Sequence, residues 1–259
     1  MQQAQRHEYA ALPRGKTALD HPLATFAVRT AIVLLLGFAA LELAVLLPAA
    51  IATGATIGLD FAIYQERTLS WLSGHGFYQP YQLAGPYDVE DVRPYAAMYP
   101  PVLLTLTVPF AFGLPAVLWW AIPIGIIAYA LYRARPPLWA WAVLAAVLVY
   151  PRTWAIVLYG NPTLWVMAFI AAGAVWRWPM AFVPLKPTLA FAVLLGVRHR
   201  SFWWAVGAAL LLAIPYGLLW ADYATALMNA RSAGWAYPLG DVPIALALIG
   251  ALARRRPTS

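Results

Sequence analysis

Residues 31–53 read AIVLLLGFAALELAVLLPAAIAT, an unbroken apolar run with one ionisable side chain, Glu42. A bilayer crossing needs roughly 20 apolar residues, whereas the core of a signal peptide spans about 7–15. The run therefore reads as a retained first transmembrane helix, not a cleaved leader. The rest of the chain is of the same kind. Of its 259 residues 63% are hydrophobic and 10% charged, where soluble domains carry about 25% charged residues. Such a chain cannot bury its apolar surface in one soluble core, and a polytopic membrane protein is the expected class. Its 22 prolines and 13 tryptophans fit that class, because proline is tolerated in membrane helices and tryptophan collects at interfaces.

Working outward, the candidate spans are 29–53, 100–132, 138–158, 162–176, 202–220 and 242–253. The stretch 100–132 is long for one span and short for two. Pro109, Pro115 and Pro123 break it, so it reads as a bent span or as a half-helix followed by a full one. Residues 179–197 lie between Arg177 and Arg198, with Lys186-Pro187 near the middle, and read as a re-entrant hairpin. The expected fold is all-α: a transmembrane bundle of about 6–8 helices with an interfacial amphipathic helix in the first outer loop. The expected organisation is a cytoplasmic tail (1–28), one integral membrane domain (29–253, with 54–99 an outer loop) and a basic cytoplasmic tail (254–259).

Charge orients the chain. With the amino terminus in the cytoplasm, the inner side holds Arg6, Arg14, Lys16, Arg29, Arg133, Arg135, Arg177, Arg198, Arg200, Arg254, Arg255 and Arg256, twelve of the 17 basic residues. Such an excess marks cytoplasmic loops. The net charge of +7 is dispersed and gives no nucleic-acid patch. There is no cysteine, which excludes disulfides and thiolate metal sites. His7, His21, His75 and His199 form no metal-ligand pair at helical spacing, and no Walker or dinucleotide fingerprint occurs.

The longest polar interval, GLDFAIYQERTLSWLSGHGFYQPYQLAGPYDVEDVRPYAAMYPP (58–101), carries the candidate chemistry. Its first part, 59–72, reads as an amphipathic helix with Phe61, Tyr64, Thr68, Trp71 and Leu72 as the apolar stripe. Asp60, Tyr64 and Arg67 recur at i, i+4 and i+7 along one edge, while Glu66 points elsewhere. Asp60 is either a charge complementing the helix dipole or a general base at the water–lipid boundary. Tyr78 and Tyr99 are either interfacial belt residues or partners for a sugar ring. Asp88, Glu90, Asp91 and Arg93 read as a solvated patch, and His75 between two glycines as a turn residue. Glu42, Arg152 and Lys186 lie at membrane depth, where ionisable groups are functional candidates by default. Lys186, a lone cation at a break, either holds a lipid phosphate or snorkels to headgroups. Asn161 opens the fourth span as a cap or as a site residue.

The order GLDFAIY, aromatic loop, Tyr99-Pro100-Pro101, Tyr159-Gly160-Asn161-Pro162 and Lys186-Pro187 resembles the bacterial polytopic glycosyltransferases of the GT-C fold. It is most similar to the polyprenyl-phosphate-mannose-dependent α-mannosyltransferases, glycosyltransferase family 87. The chain departs from them at Gly160-Asn161-Pro162, where members have a G-Q-x-N-like opening, and family members are longer. The resemblance implies transfer of a sugar, expected to be mannose, from a polyprenyl-phosphate donor to a lipid or glycan acceptor, with inversion; no cofactor beyond the donor is expected, and the sequence leaves a divalent metal open. It implies Asp60 as catalytic base; for that chemistry the candidates read from the chain are Arg67 and Lys186 at the donor phosphate, and Tyr64, His75, Tyr78, Tyr99 and Asn161 at the substrate. It also implies a bacterial plasma membrane, with the site facing outward. The alternatives are a lipid transporter or flippase subunit and a scaffold of an envelope-assembly complex.

Overall fold

A computed structural model describes residues 22–52, 57–87, 98–230 and 239–252. The expectations for the amino-terminal tail, for Asp88 to Arg93 and for Arg254 to Arg256 lie outside these. Among the described residues the chain is all-helical, with no strand and a single β-bridge between Tyr87 and Ala230.

Helix α1 (Pro22–Ala52) is long and apolar enough to cross a membrane. It is apolar all round, and Leu23, Phe26, Val33, Leu34 and Leu41 lie bare on its surface. A helix without a polar face needs an apolar surrounding on every side. It packs on α6 (Leu138–Val149). On α1, Glu42 Oε2 is sealed and has no partner among the described residues.

The ambiguous stretch 100–132 resolves into two helices. A 3₁₀ turn, Pro101–Leu103, leads into α4 (Leu104–Ala111), and α5 (Leu118–Ala134) follows after a break. Two other expected spans are bent. Helix α6 meets α7 (Pro151–Leu158) at 67°, because Pro151 cannot supply the N–H that would continue α6. Helix α9 (Arg200–Ala213) and its 3₁₀ extension meet α10 (Leu219–Asn229) at 86° across Pro215 and Gly217. Counting each bent pair as one span gives up to three helical units that pass the length and composition test for a crossing.

Helix α8 (Thr163–Trp176) is the centre, buried along almost its whole length. It packs against α5, α7, α11 (Val242–Leu252) and the segment after it. That segment is two 3₁₀ runs, Trp178–Leu185 and Pro187–Leu195, which pack on each other with Lys186 at the fold. At about 2.0 Å rise per residue each run reaches roughly 16–18 Å, short of a hydrocarbon core of about 30 Å. The hairpin shape expected from Lys186-Pro187 is present. Its tight seat on α8 depends on Gly173, where a Cβ would lie 2.6 Å from Met180 Cγ.

Helix α2 (Leu59–Leu72) turns its apolar side inward, onto α4. Phe61, Ile63, Tyr64 and Thr68 are buried, whereas Leu72 is exposed. The stripe predicted from periodicity thus corrects to one that includes Ile63 and faces protein. Thr68 and Thr107 join their hydroxyls at 2.6 Å, and Gln65 donates to the Phe110 carbonyl at 3.2 Å. Beside α2 a small helix, α3 (Pro80–Ala84), packs on α10.

The corner at Gly160 should be the least tolerant glycine tested. Its φ is +65°, and a Cβ would sit 2.7 Å from the rigid ring of Trp120. We expect Gly160→Ala to cost about 1–3 kcal/mol. Gly37→Ala, in the interior of α1 with nothing within 4 Å, should stabilise by about 0.5–1 kcal/mol. Thermal unfolding of the two variants in detergent compares them directly.

Candidate functional site

The site begins at a corner. Gly58 N–H donates to Leu158 O at 2.7 Å and Asp60 N–H to Tyr159 O at 2.9 Å. The orphan amides at the start of α2 are thereby satisfied by the end of α7, two groups that would otherwise need water or side-chain caps. Two adjacent indoles fix the corner from the other side. Trp119 Nε1 donates to Gly160 O and Trp120 Nε1 to Val157 O, each at 2.7 Å. Phe61 fills the space between these rings and Phe110.

This corner sets Asn161 against Asp60. Asn161 Nδ2 donates to Asp60 Oδ2 at 2.5 Å. Its Oδ1 accepts from the Thr163 backbone N–H and from the Tyr99 hydroxyl, both at 2.9 Å. The backbone N–H can only donate, so the carboxamide oxygen must face Thr163 and its nitrogen must face Asp60. Tyr99 and Thr163 hydroxyls lie 2.9 Å apart, and Lys186 Nζ donates to Thr163 Oγ1 at 2.6 Å and to Tyr99 at 3.4 Å. Tyr99 spends its one proton on Asn161, so Thr163 has a single proton to give either to Tyr99 or to Asp241 Oδ2 at 3.5 Å; when it goes to Tyr99, the bonds run Lys186, Thr163, Tyr99, Asn161, Asp60. Each donor in such a chain polarises the next.

Lys186 is not a lone cation. It is 1% exposed and forms an ion pair with Asp241, a carboxylate with no exposure. The other Asp241 oxygen accepts from Arg152 Nε at 2.7 Å. The expectation of a free ammonium at the hairpin break is therefore corrected: Asp241 already supplies the counter-ion. Burial of isolated charges is costly, and breaking such a pair typically costs about 3–5 kcal/mol.

Asp60 is half-buried. Burial raises its pKa above the ordinary 3.8, and the Asn161 hydrogen bond, Arg152 and Lys186 lower it. Its Oδ1 accepts no bond among the described residues and is not sealed. The neighbouring phenols stay neutral: burial raises Tyr64 and Tyr99 well above their usual range. Tyr64 stacks edge-on against Tyr99, and Tyr78 donates to the Tyr99 carbonyl at 2.9 Å. Tyr64, Tyr99 and Asn161 thus gather at Asp60, and Tyr78 stands behind Tyr99.

Arg67 and His75 do not join them. Arg67 turns to Glu66 at 2.5 Å and faces Tyr81, whose pKa is pushed up to about 12 mainly by burial. The edge drawn through Asp60, Tyr64 and Arg67 corrects accordingly, since Tyr64 is buried between its ends. His75 stays on the exposed turn, its N–H bonded to Ser70 O. Sequence reading missed Thr163 and counted Asp241 only as an outer acid. A carboxylate at the head of an apolar helix was the one available signal. None of the three large cavities described has Asp60 in its wall. Among the described residues no group of three or more His, Asp or Glu could hold a metal.

Compared with protein-family models, curated proteins and solved structures, the chain matches none. The resemblance stated above rests on its motifs alone.

Asn161→Ala deletes the largest of the influences that lower the Asp60 pKa, and should raise that pKa further. A carbon-detected NMR titration of the Asp60 carboxyl, wild type against variant, reads the shift. Because the folded value exceeds the unfolded one, the stability due to Asp60 is full below the unfolded value and is lost as pH rises through the folded one. Asp60→Asn should abolish that part of the pH dependence of unfolding.

Proposed function

We propose that the chain is a multi-pass protein of a bacterial plasma membrane, with its amino terminus inside, and that it transfers a sugar from a polyprenyl-phosphate donor to an envelope lipid or glycan. The observation that carries this reading is Asp60: a half-buried carboxyl with a raised pKa, one oxygen oriented by Asn161 and the other uncommitted. A carboxylate of that kind suits a general base. Asp60 would take the proton of an acceptor hydroxyl as that oxygen bonds to the anomeric carbon. The anomeric bond to phosphate breaks in the same step, and the lipid phosphate leaves with the electron pair. One displacement inverts the configuration. Mannose is the sugar favoured by motif resemblance. Tyr64 and Tyr99 are buried and back the base from the protein side.

A transporter subunit is the second reading. It is favoured by two apolar cavities, about 480 and 450 Å³, that do not touch Asp60, together with a buried ion cluster of the kind found along transport paths.

Two experiments test the proposal. With radiolabelled polyprenyl-phosphate sugars and a mixed lipid acceptor pool, Asp60→Asn should lose about 10²–10⁴-fold of transfer while keeping expression. Near-normal turnover rejects Asp60 as the base, and no transfer by the wild type favours the transporter. The chain has no cysteine, so Ser73→Cys and Arg133→Cys give clean single labels. Ser73 should label from outside and Arg133 from inside; the reverse would put Asp60 in the cytoplasm.

A further inference from the structure

Five arginines dispersed along the sequence meet at one end of the bundle. Helices α5 and α8 run parallel. Trp119 packs on Trp165 near their first turns, and Tyr129 stacks flat on Trp176 near their last, with ring centroids 5.6 Å apart. Leu252, the last residue of α11, packs there with Ala130 and Ala174. Arg133 lies in the last turn of α5, Arg135 caps that helix, and Arg177 caps α8. The return of the hairpin closes on the same place, since a Cβ at Gly196 would lie 3.0 Å from the Arg177 carbonyl oxygen. Arg198 and Arg200 follow at once, on either side of His199, the N-cap of α9. The 14 residues of α8 set this end about 21 Å from Thr163 and the Asp60 site.

None of the five has an ion pair or a side-chain hydrogen bond with a described residue, and all but Arg177 are exposed. Helix dipoles do not account for the cluster. A cation is favoured at the end of α5 or α8, but Arg198 and Arg200 stand at the start of α9, where the dipole disfavours them. Backbone geometry adds a second observation. Arg135 and Arg177 take φ of +46° and +70°, at positions where glycine is the ordinary helix terminator. Two guanidinium side chains are thus held where the backbone favours no side chain at all. The tails of the chain do not supply the missing charge. Residues 1–21 carry Arg6, Arg14 and Lys16 against Glu8 and Asp20, and Arg254 to Arg256 follow α11 in sequence. The counter-charge must come from outside the chain.

The surroundings identify its source. Tyr132, Trp139, Trp178, Trp203 and Trp204 are exposed around the same helix ends, and tryptophan and tyrosine collect at the headgroup level of a bilayer. A guanidinium matches a phosphate with two donors at once, and basic pockets between membrane helices hold anionic headgroups. We infer that this end of the bundle binds an anionic phospholipid, with its phosphate among Arg135, Arg177 and Arg198 and its acyl chains along the exposed aromatic side chains beside them. The site belongs to the leaflet away from Asp60. It stands whether or not the chain transfers a sugar.

The test is binding to the purified full chain in micelles of a neutral detergent. The probes are tritiated dioleoylphosphatidylglycerol, tritiated dioleoylphosphatidylcholine and radiolabelled inorganic phosphate. Phosphatidylglycerol should bind most tightly, and rising salt should weaken it. Loss of each arginine should weaken it roughly fivefold, so Arg135→Gly combined with Arg177→Gly should weaken it about 25-fold. Arg198→Gln should weaken it about fivefold, and Arg67→Gln, on α2, should leave it unchanged. Glycine takes both turns without strain, so the double variant should melt close to the wild-type temperature in neutral detergent alone. A much lower melting temperature there would make the two arginines structural and overturn the inference. Equal binding of phosphatidylcholine or of inorganic phosphate, or unchanged binding in the double variant or in Arg198→Gln, would also overturn it. A polyglutamate peptide that binds the chain more tightly than phosphatidylglycerol would assign this face to an acidic protein instead.

Discussion

Asp241 sits at the head of α11 with its carboxylate shut off from water, between a lysine from the fold of the hairpin and an arginine from the start of α7. Three elements far apart in the chain therefore converge on two oxygens. A carboxylate in that position is tolerable only when cations and hydrogen bonds replace its hydration. Thr163 at the head of α8 completes the shell. This one charge balance sets where α7, α8, α11 and the hairpin meet. The chain of bonds that reaches Asp60 starts from it.

The second constraint is steric. Trp119 and Trp120 present their indole N–H groups to the carbonyls of a corner that only glycine can turn. The corner in turn accepts the first amides of α2. Local backbone need and side-chain packing therefore agree on one placement of α2. That agreement brings Asp60 to Asn161, residues a hundred positions apart. The buried cluster and the corner act on opposite ends of the same polar chain. A change in the Asp241 pairing should be felt at Asp60 through Thr163, Tyr99 and Asn161, without contact between the two carboxylates.

Much of the architecture was legible in the sequence because hydrophobicity and proline act locally. The first long apolar helix, the break near Pro115 and the hairpin at Lys186-Pro187 follow from run length, proline and flanking charge, whereas 138–158 read as one span and its bend at Pro151 went unread. Asp60, Tyr99 and Asn161 were legible as polar or aromatic groups at the edges of apolar segments. Periodicity placed the buried stripe of α2 only in part, since it reports which face is apolar and not what covers it. Tertiary structure alone decided the pairing. Lys186 looked unpaired because its counter-ion lies on α11, and Arg67 looked like a member of the Asp60 edge because helical spacing says nothing about the loop that Tyr81 brings alongside. Charge partners across such distances depend on how helices stack, and stacking is set by the packing of glycines, indoles and hydroxyls that carry no periodic signal.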